Sequence, residues 1–127
     1  MPEANPADGR ILVVDDDRAI LEIVADVLEF EGYQVETALD GAQALEAVEQ
    51  ATPRLVLLDM RMPRLDGWAF ARILRERDIR LPILVMTAAR DASSWAHEIG
   101  AEGYLAKPFD IGELLDAVRG HTQPAGN

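Results

Sequence analysis

Four apolar runs in this chain each end at residues able to handle a phosphoryl group. Val13 and Val14 lead into Asp15, Asp16 and Asp17, and Leu57 and Leu58 lead into Asp59. Val85 and Met86 lead into Thr87, and Leu105 and Ala106 lead into Lys107 and Pro108. If these runs are parallel strands, carboxylates, a hydroxyl and an ammonium gather at one edge of one sheet. Open parallel sheets bind their ligands there, outside the carboxyl ends of the strands. Carboxylates held close together repel one another, so they need a cation or a raised pKa. An oxygen-only donor set that also expects phosphate oxygens points to Mg²⁺, which protein carboxylates, water and phosphate commonly hold together.

The elements that must position these residues alternate along the chain. Ile11 to Val14 is a continuous apolar run, as expected for a strand covered on both faces. Ile20, Ile23, Val24, Val27 and Leu28 recur at helical spacing up to Gly32. Val35 to Ala38 alternates, which suits a sheet edge, and Asp40 can cap a helix with Ala44, Leu45 and Val48 on its inner face. Leu55 to Leu58 reads as a third strand, followed by a helix bearing Phe70, Ile73 and Leu74. Ile83 to Met86 reads as a fourth, followed by a short helix around Ser93 to Ile99. Gly103 to Ala106 reads as a fifth, and Asp110 to Glu113 forms a capping box for a last helix facing inward with Ile111, Leu114, Leu115 and Val118. Asp17 reads as the cap of the first helix. Strict strand–helix alternation predicts a parallel sheet with helices on both faces and right-handed crossovers.

Composition bounds the rest. The 127 residues suffice for one domain with a real core, and 49% hydrophobic with 28% charged residues is ordinary for a globular protein. Residues 1–9 read as a disordered lead-in without an apolar signal region, residues 10–120 as the domain, and residues 121–127 as a tail or clipped linker. The apolar runs fall far short of the roughly 20 residues of a membrane helix. The absence of cysteine fits a cytoplasmic location. The net charge of −11 argues against direct nucleic-acid binding, which depends on neutralising phosphates with Lys and Arg.

Taken in order, Asp15-Asp16, Leu58-Asp59-Met60-Arg61-Met62-Pro63, Asp66-Gly67, Thr87-Ala88 and Lys107-Pro108-Phe109 resemble the receiver domain of bacterial two-component response regulators, the chemotaxis-receiver-like kind. The resemblance covers roughly residues 10–120. It implies a flavodoxin-like (βα)5 three-layer sandwich, an α/β fold whose five-stranded parallel sheet has the order 2-1-3-4-5. It implies that Asp59 accepts a phosphoryl group from a sensor histidine kinase or a histidine phosphotransfer protein, assisted by Thr87 and Lys107. Mg²⁺, with Mn²⁺ as a substitute, would be held by Asp16, Asp59 and the backbone carbonyl of Arg61, and by Asp15 through water. The Lys107–Pro108 peptide would be cis, and Thr87 with Tyr104 would form the switch that alters the face made by the fourth helix, fifth strand and fifth helix. Arg61 and Ala89 stand where receivers tune phosphoryl lifetime; Arg61 is expected over the pocket mouth, where it would slow or redirect the hydrolytic water.

Plainer readings stand beside these. An isolated Lys107 would be a surface lysine paired with an acid, Thr87 a strand-end residue bonded to backbone, Tyr104 a core aromatic and Arg61 an exposed loop arginine. His97 and His121 read as solvated residues on a helix and in the tail, and Trp95 as packing. The interval from Thr87 to Lys107 is shorter than usual in the family, which predicts a shortened fourth helix or a shortened loop at Ala88 to Ala92. A stand-alone receiver is expected first, and a piece of a longer regulator or hybrid kinase second. A homodimer formed on phosphorylation is open beside a monomer. An aspartyl phosphatase of the haloacid dehalogenase kind needs a second acid where this chain has Arg61. A pseudo-receiver acting only as a binding surface conflicts with the intact set of Asp16, Asp59, Thr87 and Lys107.

Overall fold

β-branched and leucine-rich runs bounded by turns supply the strands, and alanine-rich amphipathic segments supply the helices. The computed structural model describes residues 10–122, apart from the side chain of Ala89. The lead-in at residues 1–9 and the tail beyond Thr122 lie outside the described residues. Ten elements alternate: β1 (Arg10–Val14), α1 (Arg18–Phe30), β2 (Gln34–Ala38), α2 (Gly41–Gln50), β3 (Leu55–Asp59), α3 (Gly67–Glu76), β4 (Ile83–Ala88), α4 (Ala89–Ile99), β5 (Gly103–Lys107) and α5 (Ile111–Thr122). The five strands are parallel in the order β2-β1-β3-β4-β5, the predicted flavodoxin-like arrangement. β2 is an edge strand, in keeping with its alternating sequence.

The sheet separates two apolar layers. Leu12, Val14, Val56, Leu58 and Val85 face α2, α3 and α4, where Phe70 and Leu74 cover them. Ile11, Val13, Leu55, Leu57, Leu84 and Met86 face α1 and α5, where Leu21, Leu28, Leu114 and Val118 cover them. Every residue of β3 is buried, so this strand is fixed along its length and delivers Asp59 rigidly at its end.

Helix starts follow the predicted chemistry. Asp17 accepts from the N–H groups of Ala19 (3.0 Å) and Ile20 (3.4 Å), and Asp40 from that of Gln43 (2.9 Å). Asp110 and Glu113 bond reciprocally at 3.0 and 2.8 Å, completing the capping box.

Four expectations are corrected. Ile23 and Ile111, predicted on inner helix faces, are 61% and 57% exposed, because α1 and α5 present Leu21 and Leu114 to the sheet instead. The fourth helix is not the short one expected at Ser93 to Ile99. α4 starts at Ala89 directly after β4 and runs to Ile99. Asp91 in its first turn and the left-handed Gly100 at its end suit this longer helix. The last helix continues through His121 and Thr122, which the tail was expected to contain. Thr122 is buried there, bonding the Val118 carbonyl at 2.8 Å and lying 3.2 Å from the Tyr33 hydroxyl. His121 is half-buried, its Nδ1 2.9 Å from the Ala117 carbonyl.

Candidate functional site

β1 and β3 are adjacent and parallel, pairing Val14 with Leu58, so the residues that follow them, Asp15 and Asp59, emerge side by side. β4 sets Met86 opposite Asp59 and thereby brings Thr87 to the same edge, and β5 pairs Ala88 with Lys107. Four separated stretches thus meet at the carboxyl end of the sheet. Oxygens of Asp15, Asp16 and Asp59 all lie within 4.8 Å of one another. Asp15 and Asp59 are buried (1% and 7% exposed) while Asp16 faces outward, so the pocket has a closed floor and an open rim. Thr87 is also buried.

Local bonds hold these groups in place. The Asp17 N–H donates to Asp15 Oδ1 at 2.9 Å, folding the chain around the first acid. Lys107 Nζ donates to Asp15 Oδ2 at 2.7 Å and lies 4.0 Å from Asp59 Oδ2. The Lys107–Pro108 bond is cis, as the resemblance implies.

The segment after Asp59 is pinned at both ends. Gly67 N–H donates to the Met60 carbonyl at 2.9 Å, and Gly41 N–H to the Leu65 carbonyl at 3.0 Å. Both positions exclude a side chain: a Cβ on Gly41 would lie 2.2 Å from the Leu65 oxygen, and one on Gly67 2.5 Å from Met60 Sδ. Arg64, in the left-handed region at φ 70°, donates from Nε to the buried Asp40 carboxylate at 2.8 Å. The Gln43 N–H, with Arg64 beside it, holds that carboxyl below its usual range against the opposing cost of burial.

The electrostatics of the pocket are unbalanced. Burial, then the neighbouring Asp15 charge, pushes the Asp59 carboxyl up to about 7, with Asp16 adding to the rise. Lys107 and the backbone N–H of Arg61 oppose that rise. Three carboxylates against one close ammonium leave a negative hole made only of oxygen donors, which suits a hard divalent cation.

With this geometry in view, the likenesses to known proteins are specific. The response regulator receiver domain model matches residues 11–119. The chain belongs to the response regulator receiver family. It is 48% identical over 112 residues to the response regulator MprA of Mycobacterium sp. (strain KMS), across 87% of this chain and 49% of that protein. The MprA of Mycobacterium leprae matches to the same extent. The chain therefore spans about half the length of these curated relatives. Among solved structures, the receiver domain of NtrX from Brucella abortus superposes with TM-score 0.81 at 33% identity, covering 88% of this chain and 97% of that one. The chemotaxis protein CheY4 of Vibrio cholerae superposes with TM-score 0.80 at 32% identity, covering 89% and 98%. This receiver is a phosphoacceptor signalling module, and its acidic triad is of the kind receivers use for magnesium. Among the described residues no helix is long and apolar enough to cross a membrane.

Two features escaped sequence reasoning. The Gly41–Leu65 contact joins segments 24 positions apart, and no local pattern announces it. The Arg61 guanidinium packs over the Trp95 ring, 5.1 Å from its centroid, a contact between a loop and α4 that no local pattern announces. Ala89, its expected companion, has a side chain outside the described part of the chain. Tyr104 is half exposed on β5, an edge strand.

Proposed function

We propose that Asp59 is the phosphoacceptor of this receiver. A carboxylate oxygen of Asp59 attacks the phosphorus of a phosphohistidine on a sensor kinase or phosphotransfer protein. The new O–P bond forms as the N–P bond breaks, and the imidazole nitrogen keeps the electron pair and takes up a proton. Carboxylates serve as phosphoryl acceptors in this way in transport ATPases. Phosphoryl transfer asks mainly for positioning and charge neutralisation. Lys107 supplies an ammonium beside the attacking oxygen, and Thr87 supplies a hydroxyl for a phosphoryl oxygen. Asp16, Asp59 and the Arg61 carbonyl would hold Mg²⁺ directly, Asp15 through water, with Mn²⁺ as a substitute; the ion's chemistry is to neutralise phosphoryl charge. Thr87 and Tyr104 form the switch, and the face of α4, β5 and α5 carries the change to a partner.

The observation that carries this reading is a carboxyl at the end of a wholly buried strand, set among two other acids and an ammonium 4.0 Å away. Incubation with phosphoramidate and Mg²⁺ followed by intact mass tests it. Wild type gains one phosphate and Asp59→Asn gains none; phosphorylation of the variant would exclude Asp59 as the acceptor.

A further inference from the structure

Beside the acidic pocket lies a cluster built from three elements. The rings of Trp68 on α3 and Trp95 on α4 meet edge to face, centroids 4.8 Å apart at 69°. Trp68 Nε1 donates to Glu98 Oε1 on α4 at 2.9 Å, and both indoles pack against the core. The Arg61 guanidinium completes the cluster over the Trp95 face. The same Arg61 lies two positions after Asp59, and its backbone N–H is one of the groups that oppose the rise in the Asp59 carboxyl's pKa. One residue thus touches the pocket through its main chain and α4 through its side chain.

We infer that Trp95 is a positioning residue for the phosphorylation site: its ring holds the Arg61 side chain and thereby fixes the Arg61 carbonyl, two positions after Asp59. The inference rests on the reading of Asp59 and the Arg61 carbonyl given above. The Gly67 N–H on the Met60 carbonyl closes the 60–66 segment at its start, and the Gly41 N–H on the Leu65 carbonyl holds its far end. Between those two bonds the Arg61 side chain is held by α4 through the Trp95 ring. A preorganised carbonyl binds the cation without first being ordered. Coupling between two sites is reciprocal, so filling the pocket must also change the surroundings of Trp95, and a partner pressing on α4 must change the pocket.

The test uses the full chain with Mg²⁺ as ligand, measured by titration calorimetry and by indole fluorescence. Trp95→Ala and Arg61→Met each weaken Mg²⁺ binding about two- to tenfold, the range of an exposed or partly desolvated cation–π contact. The double variant loses no more than the weaker single one. Trp95→Tyr, which keeps an aromatic face, recovers most of the affinity. Mg²⁺ changes the indole emission of wild type, and Arg61→Met, with both indoles intact, loses that change. Additive losses in the double variant, or wild-type affinity and emission response in Arg61→Met, would overturn the inference. If Trp95→Ala does not fold by circular dichroism, Arg61→Met decides alone, since it takes nothing out of the core. Asp59→Asn separates the two readings. Unchanged Mg²⁺ affinity in that variant removes the pocket assignment and this inference with it. A loss there, with no effect in the Arg61 and Trp95 variants, removes only the inference.

Discussion

Asp59 is a carboxyl that its surroundings press toward the neutral form. Its pKa is about 7 in the folded, metal-free pocket, against 3.8 for an unperturbed carboxyl. The folded chain therefore binds this proton more tightly than the unfolded chain does. The associated stability is fully present below about pH 3.8 and is lost as pH rises through 7. Asp59→Asn removes the penalty, so the metal-free variant gains on wild type between pH 5 and pH 8, by on the order of 2–4 kcal/mol at the upper end. Urea unfolding across that range measures it; parallel curves for the two proteins would show that the carboxyl is not perturbed. Mg²⁺ must displace the same proton, so its affinity for wild type falls as pH drops below 7. Lys107 carries the opposite charge to both buried acids. Lys107→Met should slow phosphorylation by phosphoramidate about a hundredfold, the cost of one charge-stabilising donor. An unchanged rate would leave Lys107 only its ion pair with Asp15.

At the scale of elements, the site depends on how loops are clamped to helices. Gly41→Ala forces a Cβ against the Leu65 carbonyl at 2.2 Å, so the segment carrying Arg61 has to move. We expect a loss of about 1–3 kcal/mol in unfolding free energy together with weaker Mg²⁺ binding. Lost stability with unchanged Mg²⁺ affinity would show that this clamp does not shape the pocket. Such contacts also mark where the sequence stops being legible. Strand ends could be read because an uninterrupted apolar run followed by Asp, Thr or Lys already states both the element and its ligand edge. Caps could be read because Asp17, Asp40 and Asp110 act on N–H groups within three residues. The rotation of a helix against the sheet could not. Ile23 fits the apolar periodicity of α1 as well as Val24 does, and only the packing of α1 on β1 and its neighbours turns one outward and the other inward. The meeting of Arg61 with Trp95 was equally hidden, since it joins a loop and a helix 34 positions apart.

For the whole molecule, the strand order carries the chemistry. The sheet order β2-β1-β3-β4-β5 sets β1 beside β3 and so brings Asp15 and Asp59 together, although 44 positions separate them. An order that moved β1 from the side of β3 would dissolve the pocket while leaving every local motif intact. β4 runs directly into α4, so the strand that bears Thr87 and this helix form one continuous segment. The central claim is that this convergence makes the carboxyl of Asp59 the acceptor. Locating the phosphoryl group tests it most directly. The chain is phosphorylated with phosphoramidate and Mg²⁺, reduced with borohydride, which converts an acyl phosphate to homoserine, and then mapped by peptide mass spectrometry. Homoserine is expected in place of Asp59 and at no other aspartate. Conversion at Asp15 or Asp16, or no conversion in a chain that has gained phosphate, would contradict it.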